Sequence, residues 1–458
     1  VNYVKSISPA LRAVAVAVVA LAGAACSAMG SSSTLPVPAA RMLAGTHRAT
    51  SNPIQHIVII VQENRSFNNL FYGFPGATTA TSGPESNGES VTLKPIGLET
   101  TWDIEHDLSG FLVSCNGTGS EPGTDCQNNG FNNEYWGCGH SCPDPVPPYS
   151  YVPHAETKPY FYMGKHYVLA DQMYASNLDA SSFISHQYII AAQASSAVNF
   201  PTDYWGCPGI QYDYYDVIST ITQYRGYGPQ INMCWNNDTI GAEMDKAGLS
   251  WAYYTATING DGGIWSAYQN IQPIYYGPDW ATDIITPQTK FFSDVSSGKL
   301  RDLSWITPTC ENSDHAGCGS NTGPAWVASL VNAIGNSQYW NNTAIFIFWD
   351  DYGGWYDPEP PKMLDYDGLG MRIPMLIVSA YARKGKVDHT QYEHGSILKF
   401  VENTFNLPTL AQADKRATAP DKAFDFKKPP RPFHTIPSPH NIDFFMHQKP
   451  DHRDPDPG

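Results

Sequence analysis

The sequence predicts an α/β protein with a central, largely parallel sheet covered by helices on both faces. Three observations carry this. Ile57–Val61 ("IVIIV") and the strand in "TAIFIFWDD" (343–351) are apolar throughout, as strands buried on both faces are; half-buried strands would alternate. Segments with helical spacing fall between such strands. Carboxylates and amides cluster directly after the strands, where folds of this class bind ligands.

In chain order, Ile54–Val61 is the first strand. Residues 77–160 are rich in Gly, Asn, Pro and Cys and lack periodicity, which predicts a loop-rich, disulfide-stapled insertion. "SSFISHQYIIAAQAS" (181–195) puts Phe183, Tyr188 or Ile189, and Ala192 on one helical face. "SWAYYTATI" (250–258) and "LSWITPT" (303–309) read as strands. "GPAWVASLVNAIGNS" (323–337) reads as a helix with Gly335 near its end. A strand at 343–351, another at 372–382 and a helix at 392–405 complete the order. From about 410 the chain reads as a Pro- and Lys-containing tail. The expected domains are thus a leader (1–26), a linker (27–52), a catalytic domain (53–410) and the tail (411–458).

The chain has 458 residues and is 42% hydrophobic, enough for a large core, but only 15% charged. Its formal charge of −16 argues against a nucleic-acid partner. Lys5 and Arg12 precede "AVAVAVVALAGAAC" (13–26), the pattern of an export signal, and no other segment is apolar for long enough to span a bilayer. The expected location is secreted or periplasmic, with lipid attachment at Cys26 a minor alternative. Eight further cysteines suit up to four disulfides in an oxidising compartment. The local pairs 115/126, 138/142, 207/234 and 310/318 are plausible, although spacing does not fix connectivity. Zinc at "CGHSC" (138–142) is the lesser reading.

Glu63 and Asn64 follow the first strand; Asp350 and Asp351 follow "AIFIFW". If the strands are neighbours, these four oxygen-bearing side chains converge. Adjacent buried carboxylates are costly without a cation, and such a set suits one divalent ion: calcium, magnesium or zinc. Ser181 and Ser182 stand at a predicted helix start, where one could cap and the other act as nucleophile.

"ENRSF" (63–67), "SFISH" (182–186), "SDH" (313–315), "FWDDYGGWYDPEPP" (348–361) and "YEHGSILKFVE" (392–402), in that order, resemble the bacterial phosphoesterase family of acid phosphatases and non-haemolytic phospholipases C. The resemblance implies an alkaline-phosphatase-like fold and a metal held by Glu63, Asn64, Asp350 and Asp351. It implies Ser182 as nucleophile, with His106 and His315 at the phosphoryl group or leaving oxygen; His186 and His394 also match the family's positions. Asn68 and Pro358 depart from its pattern, which usually has Asp and His there. The implied chemistry is phosphoric ester hydrolysis through a phosphoserine. Small phosphomonoesters are the first expected substrates and phospholipid headgroups the second. A non-catalytic glycan-binding role, resting on the 27 Tyr and 12 Trp, is the reading from another class.

Overall fold

Residues His56–Gln62 form the strand β1, whose seven residues are all buried except His56, which is partly so. In the computed structural model, which describes residues 52–200, 205–209, 212–216, 226–260 and 262–449, this strand lies inside a nine-stranded sheet. The leader, Cys26 and all of the linker but Asn52 lie outside the described residues.

The other strands of the sheet are β2 (Val168–Tyr174), β3 (Trp251–Tyr254), β4 (Ile284–Ile285), β5 (Leu303–Ile306), β6 (Thr343–Trp349), β7 (Arg372–Ser379), β8 (Lys386–Asp388) and β9 (Tyr392–Glu393). Their order is β4-β3-β5-β1-β6-β7-β2-β8, with β9 also on β2. All pairings are parallel except the two made by β7. Every residue of β6 and β7 is buried. Because successive side chains point to opposite faces, both faces of the sheet are covered there. Each Ile, Phe or Leu so buried contributes roughly 1.5–3 kcal/mol.

Five helices matter for the site and its surroundings: α1 (Leu108–Cys115), α2 (Ser182–Ala191), α3 (Gly323–Gly335), α4 (His394–Phe405) and α5 (Gln412–Arg416). The hydroxyl at the start of α2 and the ring one turn on, Ser182 and His186, share a face because they are four residues apart. All ten residues of α2 are buried.

The 77–160 region holds α1, two short two-stranded ladders and the disulfides Cys115–Cys126 and Cys138–Cys142. Cys207–Cys234 and Cys310–Cys318 complete the four local pairs. Past residue 410 the chain stays on the domain: Phe445 meets Trp326 of α3 with ring centroids 5.3 Å apart. No helix of the described residues is long and apolar enough to cross a membrane.

Candidate active site

Because β1 and β6 are parallel neighbours with Gln62 opposite Trp349, Glu63–Asn64 and Asp350–Asp351 leave the sheet at the same edge. All four side chains are fully buried. Asn64 takes a left-handed backbone (φ 55°), and its N–H donates to Asp350 Oδ1 at 3.1 Å. Gly353 lies so close beneath that a Cβ there would stand 2.1 Å from the Asn64 carbonyl oxygen. Only glycine allows that approach, and Gly353 is itself left-handed (φ 60°). Its N–H donates to Asp351 Oδ1 at 2.7 Å.

Ser182 opens α2. Its Oγ lies 3.4 Å from Asp351 Oδ2 and 3.3 Å from the Asn64 amide oxygen. Ser181 is the cap residue, but its hydroxyl points elsewhere and donates to the Asn199 carbonyl at 2.8 Å. Of the two serines, only Ser182 is shown in contact with this set. His186 Nε2 lies 3.0 Å from Glu63 Oε1 and 3.8 Å from Asp350 Oδ2. Glu63, His186 and Asp350 bring one possible ligand atom each within 4.8 Å of one another.

His106 and His315 stand on the other side of Asn64. His106 Nδ1 contacts the Ile104 carbonyl at 2.6 Å, and His315 Nδ1 contacts that of Ala316. With Nδ1–H donating to those carbonyls, each neutral ring presents Nε2 as an acceptor. His106 Nε2 is 2.6 Å from the Asn64 amide nitrogen. In that orientation the Asn64 oxygen faces Asp350 Oδ1 at 3.2 Å and Glu63 Oε2 at 3.3 Å. Turning the amide over would pair its nitrogen with both carboxylates and let its oxygen accept from His106 Nε2 and His315 Nε2. That alternative needs hydrogen on Nε2 of both rings.

Charge decides what the carboxylate side requires. Burial pushes Glu63 and Asp351 well above the usual carboxylate range, and the charge of Asp350 adds to both. His186 does not supply the missing positive charge, since burial drives it down to about 4. Arg65 is turned away: its Nε donates to the Asp314 carbonyl at 2.6 Å and its guanidinium stacks on Trp355. Asp350 Oδ2 has no hydrogen-bond partner among the described residues. Three buried carboxylates, an amide oxygen and no protein cation among them fit a divalent ion.

His394, the first residue of α4, is set further back. Its Nε2 lies 3.5 Å from the Trp349 carbonyl and its Nδ1 3.5 Å from the Ser176 N–H. Burial lowers it to about 4 as well. Asn68 bonds both backbone polar groups of Ala80, so this departure from the family pattern supports the 77–160 region.

Asp103 is a site residue that sequence reasoning missed. With His106 and His315 it forms a second group able to hold a metal ion. The signal was in "DIEHD", where an acid stands three residues before the histidine. Asp314 was passed over too. It accepts from Tyr160 Oη at 2.7 Å and Trp349 Nε1 at 3.0 Å, which fixes the turn that carries His315.

Phospholipase C B of Mycobacterium tuberculosis is 25% identical to this chain over 438 residues, covering 83% of this chain and 79% of that one. Non-hemolytic phospholipase C of Burkholderia pseudomallei is 24% identical over 454 residues, covering 86% of this chain and 61% of that one. A solved structure of a protein in the alkaline phosphatase superfamily from Vibrio parahaemolyticus is similar at 9% identity, covering 81% of this chain and 72% of that one. Its TM-score of 0.38 is too low to support any conclusion. The Phosphoesterase family model matches residues 54–408, from the start of the sheet to just beyond α4. With the convergent carboxylate edge inside that span, the chain belongs to the phosphoesterase family and is a hydrolase of phosphoric ester bonds.

Proposed function

We propose that this protein is an exported, metal-dependent phosphoric ester hydrolase that works through a phosphoserine at Ser182. The observation that carries the reading is the place of the Ser182 hydroxyl, at the head of a buried helix and between Asn64 and Asp351. A divalent ion held by Glu63, Asn64, Asp350 and Asp351 would supply positive charge to the attacked phosphoryl oxygens. Ser182 Oγ forms the new bond to phosphorus as the ester oxygen leaves with the alcohol. Asp351 Oδ2 is the carboxylate oxygen nearest the serine proton. With a proton taken up from solvent on Nε2, His106 or His315 would donate to a phosphoryl oxygen and pass that proton to the leaving alcohol. Water then cleaves the phosphoserine, freeing phosphate and the hydroxyl.

Small phosphomonoesters are the proposed substrates. Ser182, His106 and His315 are at most 1% exposed, which favours slender esters over bulky ones. A second reading, phospholipase C, is favoured by the names of the relatives at 24–25% identity. Specificity constants for p-nitrophenyl phosphate and p-nitrophenyl phosphorylcholine separate the two. A higher value for the monoester is expected; a higher value for the diester makes the protein a phospholipase C. No turnover of either, with metal supplied, would defeat both readings. Export is supported by the four disulfides.

A further inference from the structure

The α5 segment lies beyond the stretch matched by the family model, which stops at 408, and it holds none of the residues given roles above. Yet it touches both helices of the site. Its backbone rests on Gly395, where a Cβ would stand 2.3 Å from the Ala413 carbonyl carbon. Any other residue beside His394 would push α5 away. The Ala413 N–H donates to the Ala192 carbonyl, at the end of the helix that carries Ser182 and His186, at 3.3 Å.

Arg416 ends this segment with its side chain 15% exposed, and it joins three parts of the chain. Nε and Nη2 donate to the Glu393 carboxylate at 2.8–3.1 Å. Nη2 also donates to the Ser176 carbonyl at 2.6 Å, and Nη1 is ion-paired with Asp365. Each partner leads to the site. Glu393 directly precedes His394. Ser176 faces His394 Nδ1 with its N–H, and its hydroxyl accepts from the Gly395 N–H at 3.2 Å. Asp365 belongs to the loop whose Asp367 carbonyl accepts from Leu178 N–H at 2.6 Å, on the approach to Ser182. A lysine ammonium is a single point of charge, whereas the planar guanidinium fork serves all three partners at once.

We propose that Arg416 is a positioning residue for phosphoryl transfer, holding the Ser176–Ser182 approach and the His394 ring in register with the carboxylate edge. This rests on the reading of Ser182 as nucleophile. An error of about 1 Å in such a site costs on the order of 100-fold in rate.

The test uses the full chain, loaded with metal, as wild type, Arg416→Ala and Arg416→Lys. For Arg416→Ala, kcat on p-nitrophenyl phosphate should fall by roughly 10–100-fold with KM nearly unchanged and metal content intact. Added guanidinium ion should restore turnover in Arg416→Ala and leave wild type unaffected. A kcat within about twofold of wild type would overturn the proposal. So would a loss that guanidinium does not rescue and that merely tracks the folded fraction. Should Arg416→Ala fail to fold, Arg416→Lys decides: lowered kcat at unchanged Tm is expected, and wild-type kcat overturns the proposal. An inactive wild type would fault the functional reading instead. Hydrogen exchange at the Leu178 and Gly395 amides then decides, with faster exchange in the variants expected and unchanged exchange contradicting the proposal.

Discussion

Asn64 sits between two kinds of neighbour, carboxylates on one side and imidazoles on the other, and its amide has a donor for one and an acceptor for the other. A divalent cation among the carboxylates favours the oxygen toward them, because oxygens from all four side chains then face one positive ion. Asp351→Ala should therefore release the metal, and Glu63→Ala should do the same. Elemental analysis of purified variants checks this, and full metal content in Asp351→Ala would refute the ligand set. Glu63, Asn64, Asp350 and Asp351 were legible in the sequence because each pair follows an apolar run whose end is easily placed. The choice between Ser181 and Ser182 was not legible from residue type. It depends on the Asn199 carbonyl, which arrives from a distant turn and takes up the Ser181 hydroxyl.

At the scale of elements, the parallel pairing of β1 with β6 is what turns two separate motifs into one site. The sequence showed both strands but not their adjacency, since neighbours in a sheet are chosen by packing across the whole core. β7 illustrates another limit. "RIPMLIVS" is as apolar as a parallel strand, and nothing in it reveals that it runs the other way. β2 went unassigned because Asp171 and Gln172 interrupt its apolar run. Asp171 is nonetheless buried, accepting from Thr78 N–H and pairing with His389. The contact of α4 with α5 carries its own prediction. Burial, reinforced by Asp414, pushes Glu402 up to about 9, so the folded protein holds this proton more tightly than the unfolded chain. The resulting stability is complete below the unfolded carboxyl range and is lost as pH rises toward 9. Glu402→Gln should flatten that decline, raising Tm at pH 8.5 by on the order of a few degrees and changing it little at pH 5. Thermal unfolding at the two pH values is the check, and parallel curves for variant and wild type would contradict it.

Across the whole molecule, a chain of charge −16 handles phosphate at a site that is itself acidic. The proposed divalent ion would resolve this by reversing the local field, which overall charge does not describe. Four disulfides, two in the 77–160 region and two at other loops, fix segments that lack periodic apolar faces of their own. Denatured, unreduced protein should show no more than one free thiol; four or more would reopen a metal role for 138–142. The even cysteine count made the four disulfides legible, whereas the packing of residues 411–449 was hidden. Their Pro and Lys content looks like a tail, and the tertiary fits of α5 on Gly395 and of Phe445 on Trp326 show otherwise.

The central claim is that Ser182 carries the phosphoryl group. Rapid acid quench of the metal-loaded enzyme during turnover of a radiolabelled phosphate ester, followed by peptide mapping, tests it most directly. The account predicts phosphoserine at Ser182, its loss in Ser182→Ala and its retention in Ser181→Ala. Label on Ser181 or on a histidine, or steady turnover of the Ser182→Ala variant, would contradict it.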